Sequence, residues 1–160
     1  MYASFQADAS QGPQAVRFTS FVCWLVCAFC LVAGVPAWAQ TDILGKFQYK
    51  DERRFEYFIK DGKLFNRITY LKDNADADGQ PLLDTKNPDP KLRNRPRVGI
   101  ISAQNLVYKG HNTWENGTAY DPTSGRSYRV RLRLTDPNTI EFTAYVFGVP
   151  FTATQNRVEE

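Results

Sequence analysis

The sequence predicts an all-β fold, a single antiparallel up-and-down barrel of about eight strands with one long loop that contains a short helical turn. Three observations predict it. Apolar and polar residues alternate with a period of two in one segment after another, turn-forming residues separate those segments at short intervals, and no stretch of helical period reaches the length of an ordinary helix.

The alternation is clearest in three places. "RFEYFIK" sets Phe55, Tyr57 and Ile59 against Arg54, Glu56, Phe58 and Lys60, and "YRVRLRL" sets Tyr128, Val130, Leu132 and Leu134 against Arg129, Arg131 and Arg133. "TIEFTAYVF" places Ile140, Phe142, Ala144 and Val146 on one face, with Tyr145 and Phe147 making the other less polar. "KLFNRITYL" and "VGIISAQNLVY" add two strands, and the segments around Phe47, Trp114 and Phe151 complete the set. Turns are read at Asp61-Gly62, Lys109-Gly110, Asp121 to Gly125, Asp136-Pro137-Asn138 and Gly148 to Pro150. Connections this short suit neighbouring hairpins better than the crossovers of a Greek-key sandwich, and closure into a barrel removes exposed sheet edges.

Residues 1–39 read as a signal peptide and 40–160 as the single barrel domain. Arg17 precedes an apolar core from Phe18 to Val35, Pro36 breaks it, and Ala37-Trp38-Ala39 is the small-x-small pattern of a cleavage site after Ala39. The competing reading is an uncleaved membrane anchor, for which the run is just long enough. All three cysteines, Cys23, Cys27 and Cys30, lie in the leader without the pattern of a lipidation site. The exported domain therefore has no disulfide framework and no membrane span, and its expected place is the periplasm or the extracellular space.

The remaining composition excludes several function classes. A net charge of +3 without a clustered basic face argues against nucleic acid as a partner. His111 is the one histidine, so the usual zinc ligand sets are out of reach, and a Ser-His-Asp hydrolase is hard to build, since nothing local pairs His111 with Ser102, Ser124 or Ser127; His111 reads as a turn residue. The run Asn74, Asp76, Asp78, Gly79 matches the start of a calcium loop, but Thr85 stands where the bidentate Glu belongs. The expected reading is an acidic turn with no metal and no cofactor.

The connection from Lys72 to about Arg97 breaks the strand economy, and a loop of that length in a compact domain is usually functional. Asp89 as N-cap, Pro90 at the first helical position and Leu92 packing inward define its helical turn. Arg93, Arg95 and Arg97 suit either internal bidentate pairing with Asp84 or Asp89, or recognition of a carboxylate or phosphate. Trp114 is the only tryptophan beyond the leader and sits on a short strand between Gly110 and Gly117, close to a barrel end. The candidate ligand-binding set is Asp84, Asn87, Asp89, Arg93, Arg95, Trp114 and Tyr120.

Loop and flanks together carry a resemblance. "DGQPLLDTKNPDPKLRNRPRVG", with "YDPTSGRSY" downstream and "GKF" near the start of the domain, resembles the secreted bacterial family known as domain of unknown function 2147. The likeness runs from about Ile43 to Val158, and Asn87 to Pro96 is its distinctive core. The resemblance implies a lipocalin-like barrel without an established activity. Two departures bear on closure of the barrel: Phe47 stands where the family usually has Trp, and the C-terminal motif is shortened to Thr154-Gln155-Asn156-Arg157-Val158, without its Trp.

Three functions are compatible with these residues. The first is a monomeric binding module holding a small apolar or amphiphilic ligand, and the second an envelope interaction protein whose barrel is filled by side chains. The third is a hydrolase using a pair among Asp84, Asp89, Glu115 and Asp121, which needs only two carboxylates at the right separation.

Overall fold

The computed structural model describes residues 42–159, and the expected leader with its expected cleavage site after Ala39 lies outside them. Eight strands follow one another: β1 (Gly45–Tyr49), β2 (Arg53–Lys60), β3 (Lys63–Leu71), β4 (Ile101–Gly110), β5 (Thr113–Asp121), β6 (Arg126–Asp136), β7 (Thr139–Val146) and β8 (Val149–Arg157). Each pairs antiparallel with its chain neighbour and β8 returns to β1, so the sheet is the closed up-and-down barrel expected from the alternation.

Tight turns set the registers. Asp61-Gly62, His111-Asn112 and Phe147-Gly148 all have positive φ, the two-residue geometry whose twist matches that of paired strands. Glycine meets this geometry without strain, whereas Phe147 at φ 51 is an unusual occupant. The β4–β5 turn centres on His111 and Asn112, just beyond the Lys109-Gly110 signal.

In an up-and-down barrel successive turns fall at alternate ends, and here the two ends differ. At the end formed by the β2–β3, β4–β5 and β6–β7 turns, Phe47, Tyr57, Leu64, Leu106, Trp114, Leu132, Leu134 and Ile140 form the core, capped by Ile43 from the segment before β1. Phe47 meets Tyr57 edge to face at 5.5 Å, and Tyr108 lies 5.1 Å from Trp114. The outward-leaning Ile59 is 37% exposed, so the inward alternation of β2 stops short of its end.

Closure rests on few residues. β1 and β8 share only the registers Phe47↔Arg157 and Gln48↔Asn156. Arg157 compensates: its guanidinium donates to the carbonyls of Pro137, Leu44 and Asp42 and lies 4.5 Å from the centre of the Phe47 ring. The shortened ending still closes the barrel because this one side chain ties β8, the β6–β7 turn and the N-terminal segment together.

Candidate functional site

The opposite end, carrying the β1–β2, β5–β6 and β7–β8 connections and the long loop, is hollow. A cavity of about 340 Å³ opens there, lined by apolar side chains that include Phe55, Ile68, Phe142, Val146 and Phe151, with Tyr49, Tyr120 and Tyr128 around them. Short side chains leave the space: Ala119, Ala144 and Ala153 occupy inward positions that longer residues would fill.

The polar groups of the cavity wall are mostly satisfied. Asn66 Oδ1 accepts from Ser102 Oγ at 2.6 Å and from the Ala103 backbone at 2.7 Å. The Tyr57 phenol donates to Gln155 Oε1 at 2.8 Å, and burial pushes its pKa upward. Asn66 and Gln155 are both buried, so the apolar chamber has a polar inner wall with fixed geometry. At the mouth the β7–β8 tip exposes Phe147 almost completely, at 92%, with Val149 and Phe151 beside it.

The long loop is shaped by its own polar contacts. Asp84 is fully buried and receives four side-chain hydrogen bonds: Tyr120 Oη at 2.6 Å on one oxygen, and Asn87 Nδ2 at 2.7 Å with Arg95 Nε and Nη2 at 3.1 and 3.0 Å on the other. Arg93 donates to the Asn87 carbonyl and Arg97 to that of Leu83. Asp89 caps the turn Pro90–Leu92 as the sequence predicts, accepting from the Lys91 backbone at 2.9 Å. Leu92, expected to pack inward, is 38% exposed, because the loop is held by polar clamps and this short turn buries no residue. Gly125, at φ +71 in the β5–β6 turn, touches the loop so closely that a Cβ there would fall 2.1 Å from the Lys86 carbonyl.

The seven candidate residues thus divide. Asp84, Asn87, Arg95 and Tyr120 form one cluster, with Asp89 and Arg93 at its outer edge. Of the seven only Tyr120 lines the cavity. Trp114, expected close to a barrel end and in the ligand set, is buried at the filled end, since the β4–β5 turn that precedes it lies opposite the long loop. The four carboxylates weighed as a hydrolytic pair have separate partners: Asp84 in the clamp, Asp89 at its cap, Glu115 with Arg131 at 3.5 Å, and Asp121 bonded to Ser124 and to the Thr123 backbone in its own turn. Asp76 accepts from the Asp78 and Gln80 backbones, the arrangement of an acidic turn, and no group of three metal-ligating side chains occurs among the described residues.

Sequence reading missed Arg53, Asn66 and Gln155 as wall residues. The signal was parity, since each stands an even number of residues from an inward apolar neighbour: Phe55, Leu64 and Ala153 respectively.

Tyr120 has a measurable electrostatic signature. Its pKa is pushed up to about 12 by burial and by the hydrogen bond to Asp84 and the charge there, with Arg95 opposing. The folded value lies above the ordinary tyrosine value of about 10, so the stability it contributes is complete below that pH and is lost as pH rises through the folded value. The melting temperature should therefore fall as pH climbs from about 10 toward 12, and less steeply in Tyr120→Phe, a comparison that removes the parallel contribution of Tyr57. Identical slopes would show that the phenol titrates as it does in the unfolded chain.

Comparisons with known proteins bear on both family and fold. Among solved structures the chain is similar to protein HP1028 from the human pathogen Helicobacter pylori, described as belonging to the lipocalin family: 27% identity over 73% of this chain and 83% of that one, with a TM-score of 0.64. No curated protein matches. Residues 38–157 match the family model described as uncharacterized protein conserved in bacteria, and with a match over that length the chain belongs to that family, the domain of unknown function 2147.

Proposed function

We propose that the chain is an exported barrel protein, periplasmic or secreted and acting as a monomer, that binds one small apolar or amphiphilic molecule in the hollow half of its barrel. The cavity of about 340 Å³ carries this reading. An eight-stranded barrel has room either for packed side chains or for one small ligand, and this one is packed at one end and open at the other. The volume lies at the lower end of known ligand sites, roughly 300 to 1,000 Å³, which favours a single chain or ring over a two-chain lipid. The likeness to a lipocalin-family protein supports the same reading, and the signal-peptide pattern read in residues 1–39 of the sequence supports export. Tyr120 is the loop-anchored residue that would touch the ligand.

The rival, an envelope docking protein, draws its support from the exposed apolar tip at Phe147, Val149 and Phe151, although the hollow end speaks against the filled barrel expected with it. Calorimetric titration with a panel of single-chain and small-ring amphiphiles separates the two. Binding with a negative heat-capacity change and a raised melting temperature is expected. Trp114 emission should stay constant, because the indole sits at the filled end. Absence of binding across the panel would favour the docking protein. Intact mass of the exported form should correspond to a chain beginning at Gln40, and retention of the leader would sink the export assignment.

A further inference from the structure

Beside the cavity lies a second hollow of about 150 Å³, lined by Glu52, Arg53, Ile68, Leu71, Lys72, Asp73, Arg97, Pro122 and Thr123. The two share Arg53, Ile68 and Pro122 as a common wall. One is apolar and the other carries three cationic side chains, so the pair has the form of a tail chamber joined to a head chamber.

Arg53 is the pivot. It is the first residue of β2, opposite Tyr49 on β1 and Leu71 on β3, and it is half-buried at the rim. Among the described residues no carboxylate lies within ion-pair distance of its guanidinium. The acid that senses it most directly is Asp121. Burial pushes the Asp121 carboxyl upward, but hydrogen bonds from Ser124 and Thr123 and the charge of Arg53 hold it below the usual range. Both Asp121 oxygens are already engaged by the β5–β6 turn. Glu52 and Asp73 line the same hollow and offset part of its positive charge, while Arg97 Nε is committed to the Leu83 carbonyl. The guanidinium of Arg53 thus keeps its donors for something the chain itself does not supply.

We infer that the ligand is a single-chain anionic amphiphile whose carboxylate or phosphate head is bound by Arg53 where the two hollows meet, with its tail in the apolar chamber. This rests on the binding reading above and specifies its chemistry. A planar guanidinium offers two parallel donors to either kind of oxyanion, and in a partly desolvated rim such charge-assisted bonds are stronger than in open water. Lys72 supplies a second, flexible cation at the outer side of the head.

The test compares dodecanoate, dodecyl phosphate and dodecanol, below their micelle concentrations, against the wild-type protein, Arg53→Gln and Arg53→Lys. The expected result is that both anions bind the wild type more tightly than the alcohol. Arg53→Gln should lose about tenfold or more in affinity for the anions and distinctly less for dodecanol, whose neutral hydroxyl gains little from a charged donor, and Arg53→Lys should fall between. A melting temperature of unliganded Arg53→Gln close to that of the wild type reports that the variant is folded. Equal binding of all three ligands, or an equal loss for all three in Arg53→Gln, would overturn the headgroup assignment and leave the cavity reading standing. If the wild type binds none of them, the cavity reading itself fails, and this inference with it.

Discussion

Replacing Asp84 by Ala is expected to cost about 3 kcal/mol of folding stability and to release the long loop from the barrel. The figure follows from what the carboxylate leaves behind: a guanidinium, a phenol and an amide whose acceptor has gone, in a site where the carboxylate itself is fully buried. Removing one partner of a buried ion pair typically costs about 3 to 5 kcal/mol, and Arg95, whose side chain is 36% exposed, can rehydrate, which places this case at the lower end. Asp84→Asn keeps the shape and one acceptor and should fall between. Urea unfolding measures the loss as a drop in midpoint, and trypsin reports loop release through faster cleavage at Lys86, Lys91 and Arg93. A midpoint within about 0.5 kcal/mol of wild type, with cleavage unchanged, would show that the cluster does not hold the loop.

Arg157→Ala is the second large effect, at about 2 to 3 kcal/mol, because each hydrogen bond from a charged group to a neutral acceptor is worth about 1.5 kcal/mol or more and the exposed ones recover part of that from water. The loss should be local. With only two residue pairs between β1 and β8, the strands flanking this seam should gain amide exchange while β4 and β5 keep their protection. Arg157→Lys should recover little, since a point charge cannot reach three carbonyls in different directions while covering the face of Phe47. Uniform exchange across the sheet in Arg157→Ala would mean the seam is held by the strands alone.

Most of the fold was readable because strand faces alternate with a fixed period and turn residues have chemical reasons to be where they are. The cap and first turn at Asp89 and Pro90 are local chemistry and came through intact. What failed was position along the barrel axis. Alternation says which residues face inward and is silent about which end of the barrel they occupy. Counting hairpins supplies that, since alternate turns lie at opposite ends, and it places Trp114 away from the loop that Tyr120 meets. The clamp on Asp84 was half legible: Arg-carboxylate pairing was chemically reasonable, but its other partner, Tyr120, lies 36 residues away in sequence and is brought there only by the folded barrel. Arg53 was hidden for a different reason, because a charged residue at a strand end looks solvated until the neighbouring turns close around it.

Tyr120 is the one side chain that belongs to both halves of the site: its hydroxyl is held by Asp84 on the loop side and its ring lines the cavity. Docking of the long loop and filling of the barrel are therefore two equilibria that share a residue, and any free-energy coupling between them must be reciprocal. A molecule that binds better when the loop is docked will tighten the loop by the same factor by which the docked loop tightens the molecule. Loop mutations outside the cavity lining, such as those at Asn87 or Arg95, then become a means of tuning affinity through Tyr120, over whose ring the Arg95 guanidinium lies at 5.9 Å.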